Sequence, residues 1–409
     1  MTHSLHRAVG VLLVSTVAVL GGCGADDVGM DPFVADGGGV DMRGADMAAV
    51  DLGPAADLGR MPDLGQRLDG ALAPDARGPS PGGPSDNPNL DRIESGRFVV
   101  ISNNTVTDLC GPGLGFDDCD PGAQEGVMSE WNGGAFADNY HSHGGLMAWG
   151  GGHAGYSGNE VYMFDVNTGL WSALAQPPVD TSSCTSSTSE YPDGTPRTGH
   201  TYEGLEYAPI TGEFVKLLVS SDGAGVVSTG TVHLFNIFDG TWRRGMRKPT
   251  WENAGGGSDD GEGASSAYDA RRGLVWGHVA WRGYETDPDK AFSSYDPVTD
   301  VWTEYPGANV GIDHAAAIDP VRDLYVLGAY RSGETLVAFD LANPSAGPVE
   351  LNVTGTANAA TGQMGFEYDS DNAVFAAYNA GGGEGSTISV LTPPAGDWRT
   401  EPWVCRIEP

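Results

Sequence analysis

Paired hairpins that recur roughly every 50 to 65 residues, 62 glycines and 26 prolines among 409 residues, and only three lysines predict an all-β chain. Two hairpins per unit make a four-stranded blade, and the pattern is that of a β-propeller with five detectable blades and room for a sixth. It follows a disordered tether. The chain divides into a leader at 1–22, an Asp/Gly/Pro-rich tether at 23–92 and the propeller at 93–409.

The leader opens with His3, His6 and Arg7 and continues as an apolar run from Ala8 to Leu20. At about 13 residues the run is too short to span a bilayer and has the length of a signal-peptide core. It ends Leu20-Gly21-Gly22-Cys23, which resembles the lipobox of bacterial lipoproteins and implies lipidation at Cys23. The resemblance implies a membrane partner through that lipid and a place in the cell envelope, at a bacterial outer membrane because Gly24 rather than aspartate follows the cysteine. Between 24 and 92 the texture of Ala56-Asp57-Leu58-Gly59 and Pro62-Asp63-Leu64-Gly65 repeats, with Phe33 as the single aromatic residue. Such a stretch buries too little apolar surface to offset its ordering entropy and reads as a spacer.

A formal charge of −34 argues against nucleic acid, since most of the surface would repel phosphate. Nothing in the pattern calls for more than a monomer. With Cys23 set aside, Cys110, Cys119, Cys184 and Cys405 remain, an even number in an exported chain. Four cysteines allow three pairings. The short loop between Cys110 and Cys119 makes that bridge the simplest and leaves Cys184 with Cys405. No two have the C-x2-C spacing of a zinc site.

The outer hairpins share an eleven-residue frame, seen at Val161–Trp171, Val232–Trp242, Phe292–Trp302 and Ile388–Trp398. Phe164, Phe235, Tyr295 or Leu391 follows three residues after the start, a polar turn intervenes, and tryptophan closes the frame. Leu336–Asp340 keeps Phe339-Asp340 without the tryptophan. Asp165 and Asp296 are placed to accept hydrogen bonds from turn amides. Upstream of each frame lies an inner hairpin, such as Tyr207–Val215, Tyr268–Trp276 or Ile318–Val326. Phe98–Ser102 reads as a strand that completes the last blade or begins a sixth.

With Gly150-Gly151-Gly152 ending a strand and Tyr162 and Trp171 following, the first blade resembles the kelch-repeat, galactose-oxidase-like propellers. That resemblance implies a propeller over about 130–400. It does not bring the family's copper–radical cofactor, which needs a cysteine linked to tyrosine, because every cysteine here has another use. Glycans and proteins are the ligand classes expected of such a channel mouth.

Strand alternation puts the connection before each first strand and the connection between the second and third strands on one rim. Arg197 and His200 fall there in blade two, Asp313 and His314 in blade four, His153 and Tyr156 in blade one, and His278, Trp281 and Arg282 in blade three. Arg197, His200, His278, Trp281, Arg282, His314 and Tyr156 are therefore the expected ligand-binding set. His153, His200, His278 and His314 with Asp313 could hold a divalent metal such as zinc, neutral imidazole and carboxylate being its usual donors. No other cofactor is indicated. Two functions compete: a tethered propeller that binds a glycan or protein ligand at its mouth, and a metal-assisted polysaccharide lyase or hydrolase that uses the histidines. Trp131, Trp251 and Trp281 lie outside the repeated frame and are the candidates for stacking on a sugar.

Overall fold

The computed structural model describes residues 85–93, 99–109, 133–150, 159–175, 190–197, 199, 201–217, 230–249, 264–278, 291–307, 314–328, 336–355, 365–379 and 387–408. They form five antiparallel blades arranged as a propeller. Blade one is β1 (Gly134–Ala137), β2 (Gly145–Ala148), β3 (Tyr162–Asp165) and β4 (Leu170–Ala173). Blade two is β5 (Leu205–Ala208), β6 (Glu213–Lys216), β7 (Thr231–Asn236) and β8 (Thr241–Arg247). Blade three is β9 (Ser265–Asp269), β10 (Leu274–His278), β11 (Phe292–Asp296) and β12 (Val301–Tyr305). Blade four is β13 (Ala316–Asp319), β14 (Leu324–Leu327), β15 (Val337–Asp340) and β16 (Pro348–Glu350).

Blade five differs. Its strands β18 (Gly365–Asp369), β19 (Val374–Asn379), β20 (Thr387–Thr392) and β21 (Trp403–Glu408) gain a fifth, β17 (Val353–Gly355), which pairs parallel to β21 at the outer edge. The blade is also built differently from the eleven-residue frame. Trp398 lies in a turn before the outer strand, and Cys405 takes the position opposite Leu391 that tryptophan fills elsewhere. In blades one to three the frame holds, with Phe164 opposite Trp171, Phe235 opposite Trp242 and Tyr295 opposite Trp302. Their ring centroids are 5.3, 5.1 and 5.2 Å apart, the contact distance of cross-strand aromatic pairs.

The burial pattern explains the radial order. The middle strands β2, β3, β6 and β14 are buried at every position, as strands covered on both faces must be. The outer strands β8 and β12 are largely open, and β8 carries Arg243, Arg244 and Arg247, charges that discourage further edge pairing. Apolar clusters fill the seams between blades one and two, two and three, three and four, and four and five.

Side chains also cap outer edges. In blade two the Met246 amide donates to Asp300 Oδ1 (2.7 Å) and its carbonyl accepts from Trp302 Nε1 (3.1 Å), both from blade three. Gly245 permits this approach, since a Cβ there would sit 2.6 Å from the Tyr295 hydroxyl.

The hairpin turns repeat one five-residue device. An Asp or Asn side chain accepts from the amides two and three residues on, as Asp296 does from Val298 and Thr299 and Asp319 from Val321 and Arg322. Asp165 accepts from the Asn167 amide in the same way. The fifth residue has positive φ: Gly169, Gly240 and Gly273, but also Asp300, Asp323 and Ala373, and Gly212 does the same in the one such turn that starts on Ala208 and so lacks the side-chain acceptor. An L residue there costs about 1–2 kcal/mol, partly offset by the freedom glycine adds to the unfolded chain. Ala373→Gly should therefore raise stability by about 0.5 kcal/mol, and Gly212→Ala should lower it by about 1 kcal/mol or more. Paired urea titrations read both signs; like signs would overturn the strain account.

The turns also lock neighbouring blades. Arg272 of blade three reaches Asp323 of blade four (2.7 and 2.6 Å) and its own Asp269 (2.7 Å). One blade further round, Arg322 reaches Asp319 (2.8 Å) and the Pro394 carbonyl (3.2 and 2.9 Å).

The segment before blade one departs from expectation. Residues 99–109 form no strand; they lie on blade one, where Ile101, Val106 and Leu109 pack with Leu146, Tyr162, Phe164 and Trp171. The Asn104 side chain acts as a piece of strand on the edge of β4, accepting from the Trp171 amide (2.6 Å) and donating to its carbonyl (3.1 Å). Buried Asn87 ties Ile101 to Val166 through both carbonyls (3.0 and 3.2 Å), and Ser85 bonds the Asn167 carbonyl (2.9 Å). Position 93, the expected start of the propeller, thus falls inside a segment already packed on blade one. The leader, Cys23 and the tether up to residue 84 lie outside the described residues, as do Cys110, Cys119 and Cys184. Cys405 is buried in β21. Among the described residues no helix is long and apolar enough to cross a membrane.

Candidate functional site: the inner strands

The first strand of each blade lines the axis. Neighbouring inner strands touch in the order β1, β5, β9, β13, β18. They carry small side chains, as in Ser-Ser-Ala of β9 and Ala-Ala of β13, so the polar groups among them stand out. Apart from the turn aspartates Asp269, Asp319 and Asp369 that end β9, β13 and β18, these include the carboxyls of Glu203, just before β5, Glu206 within β5, and Glu367 within β18.

Backbone pairing sets the first two. Glu203 bridges in parallel to Ser265, and its carbonyl accepts from the Ser266 amide (2.9 Å) and hydroxyl (2.6 Å). The same hydroxyl reaches Glu206 Oε1 (3.0 Å). Behind it, the buried Tyr325 hydroxyl is bonded to Ser265 (3.0 Å to Oγ, 3.1 Å to the carbonyl). On β18, Glu367 lies on the face opposite Phe366 and Tyr368, which pack toward blade four.

Burial raises all three acids, and the charge of Glu367 adds to the rise at Glu203 and Glu206. Burial lifts Glu203 to about 8, with the charge of Glu367 adding to it. Burial and then Glu367 push Glu206 well above the carboxylate range, against the Ser266 hydrogen bond. Burial takes Glu367 to about 7. By surface area Glu203 and Glu206 are half-buried and Glu367 is exposed. Water in a narrow channel solvates a charge less well than bulk water does, so the direction holds for all three and is weakest for Glu367. A carboxyl raised in this way can present a hydroxyl donor as well as an acceptor. Burial and these two glutamates also hold the Tyr325 phenol above its usual range.

The rim residues expected from sequence divide into two groups. His153, Tyr156, His200, Trp281, Arg282 and Asp313 lie outside the described residues, as do Trp131 and Trp251. His278 ends β10, buried, with its ring against Phe339 of blade four (5.7 Å between centroids) and Nε2 near Gly307. His314 is buried before β13, and its Nδ1–H donates to the Gly328 carbonyl (2.6 Å). One stands at the seam between blades three and four, and the other bonds its own blade's backbone. Arg197 follows Pro196 on a short hairpin whose other arm holds Glu190. Among the described residues no three His, Cys, Asp or Glu side chains come together as a metal-binding group. Sequence reasoning missed Glu203, Glu206 and Glu367. The signal available was a glutamate at alternate positions of inner strands that are otherwise small or apolar.

No family model matches the chain, and no curated protein does. Among solved structures, it is similar to a structural genomics protein of unknown function from Bacteroides thetaiotaomicron VPI-5482, at 11% identity and a TM-score of 0.35. The match covers 60% of this chain and spans 52% of the length of that protein.

Proposed function

We propose that this chain is an exported, lipid-held propeller that binds a glycan at the mouth of its axial channel. The observation that carries the reading is the placement of Glu206 of blade two and Glu367 of blade five close enough for one charge to raise the other's pKa. Carboxyl groups that are partly protonated at neutral pH offer a donor and acceptors within one small area, which suits the paired hydroxyls of a sugar. The anchoring part of the reading rests on the apolar run Ala8–Leu20 and the Leu20-Gly21-Gly22-Cys23 sequence, and the ligand would be met in the cell envelope.

A glycan-array screen followed by calorimetry tests the ligand. For a neutral oligosaccharide found in this way, the double substitution Glu206→Gln, Glu367→Gln should weaken binding by about tenfold or more, the cost of losing hydrogen bonds to charged or shared-proton groups. Unchanged affinity would move the site off the channel. An amine-bearing ligand that stays protonated would instead bind more tightly as pH rises through about 7 to 8, where Glu367 and Glu203 ionise.

A further inference from the structure

At the seam of blades one and two, basic side chains stand in a row across the face of blade two. The register places Lys216 of β6 opposite His233 of β7, and His233 opposite Arg244 of β8. Glu190, carried in by the short hairpin that pairs it with Pro196, lies over the middle of the row. Its Oε1 meets His233 Nε2 at 3.0 Å and its Oε2 meets Arg244 at 3.3 Å. A carboxylate only accepts, so the imidazole proton sits on Nε2.

Two polar groups in this row are left over. His233 is fully buried, and its Nδ1 has no hydrogen-bond partner among the described residues. Lys216 is 7% exposed; among the described residues its ammonium makes no ion pair and feels Glu190 only at longer range. A buried imidazole nitrogen without a donor is costly, and native proteins rarely leave such a group unmatched. Burial lowers Lys216 to about 8, so it remains largely charged at neutral pH. Burial lowers His233 to about 4, against the Glu190 hydrogen bond, so the ring is neutral and Nδ1 is an acceptor.

The charges then give a net of one positive: Lys216 and Arg244 against Glu190, with His233 neutral. In a chain of formal charge −34 this is a local reversal of sign. One excess positive charge matches a monoanion better than a phosphate dianion. The free acceptor beside it matches a hydroxyl.

We propose that the row formed by Lys216, His233 and Arg244 beneath Glu190 is a binding site for a hydroxy-carboxylate, with Lys216 meeting the carboxylate and His233 Nδ1 accepting from a neighbouring hydroxyl. The half-buried Glu190 and the exposed Arg244 give it an opening to solvent. A hexuronic acid has both groups. The site lies one strand outward from the channel wall and stands on its own residues, so it does not depend on the channel reading.

Calorimetry of the full chain with D-glucuronate, D-glucose and inorganic phosphate tests it. Glucuronate should bind saturably and more tightly than phosphate. Lys216→Met should weaken it by about tenfold or more, as loss of a charged hydrogen bond does. Glu190→Gln should strengthen it, because the competing carboxylate is gone, whereas a purely structural Glu190 would give no gain. Any binding of D-glucose should be the same in both variants. Absence of saturable glucuronate binding, phosphate bound as tightly as glucuronate, or Glu190→Gln without a gain would each overturn the proposal. If Lys216→Met does not fold, Glu190→Gln still decides.

Discussion

Phe292→Ala is expected to cost about 4 kcal/mol, the upper part of the range for a large buried aromatic side chain. Phe292 is fully buried at the start of β11 and joins the two blades that share its seam. Its ring stacks on Phe339 of blade four (4.0 Å between centroids, 22° between planes) and on Trp276 of its own blade (5.2 Å, 16°). It also contacts Tyr325 (5.1 Å) and Tyr305 (6.2 Å). Neighbours tied into two sheets cannot collapse into the void, so the cavity cost adds to the lost transfer energy. Thermal unfolding should shift down by roughly 6 °C. The control is Val301→Ala on the open outer strand, at 53% exposure, which should stay within about 0.5 kcal/mol. If the two variants melt together, the seam between blades three and four is not a major source of stability.

The second large effect is with pH, and its sign is set by the channel acids. Glu203, Glu206 and Glu367 all hold their protons more tightly in the folded chain than their usual value of 4.5. Below about 4.5 they are neutral in both states and their contribution is fully present. As pH rises from there toward 7 and 8, the unfolded chain ionises first and the folded state loses ground. Stability should therefore fall between about pH 5 and pH 8. One pKa unit corresponds to about 1.4 kcal/mol, so even shifts reduced by channel water sum to a few kcal/mol. The triple substitution Glu203→Gln, Glu206→Gln, Glu367→Gln should flatten the slope in this window and raise the melting temperature at pH 8. The acid limb below pH 4 should persist, because it comes from groups of the opposite kind. Glu190, for instance, is held below its usual range by the His233 hydrogen bond. A variant with the same pH profile as the parent would show that the three carboxyls ionise freely.

Much of the architecture was legible because it is local. Each hairpin is specified by residues within about a dozen positions, and a polar turn between two apolar runs needs no distant partner to be read. The aromatic pairs Phe164–Trp171 and Tyr295–Trp302 fall opposite each other for the same reason. Blade five broke the frame where a long-range partner intervenes: β17, some fifty residues upstream, pairs with β21 and gives the outer edge its companion. The strand expected at Phe98–Ser102 failed similarly. Its apolar residues are real, but Asn104 and Asn87 satisfy the neighbouring edge and carbonyls by side chain, and Ile101 packs on a sheet without joining it.

The site was less legible. Histidines attract notice as metal ligands, whereas the contacts of His278 with Phe339 and of His314 with the Gly328 carbonyl are ones that no spacing rule reveals. The channel acids were invisible for the converse reason. Glu206 and Glu367 are separated by most of three blades in sequence and meet only because inner strands surround one axis. The row of Lys216, His233 and Arg244 depends on strand register, which pattern alone leaves open by one residue and hence by a whole face.

The way Ser85 and Asn87 grip the turn of blade one has a mechanical consequence. Tension arriving through the preceding chain enters at the outer turn of a single blade. It meets the Ser85 bond first and then those of Asn87 and Asn103, which hold Ile101 and the turn between β3 and β4. Blade one is thus the first to feel a pull, and Asn87 is its fuse.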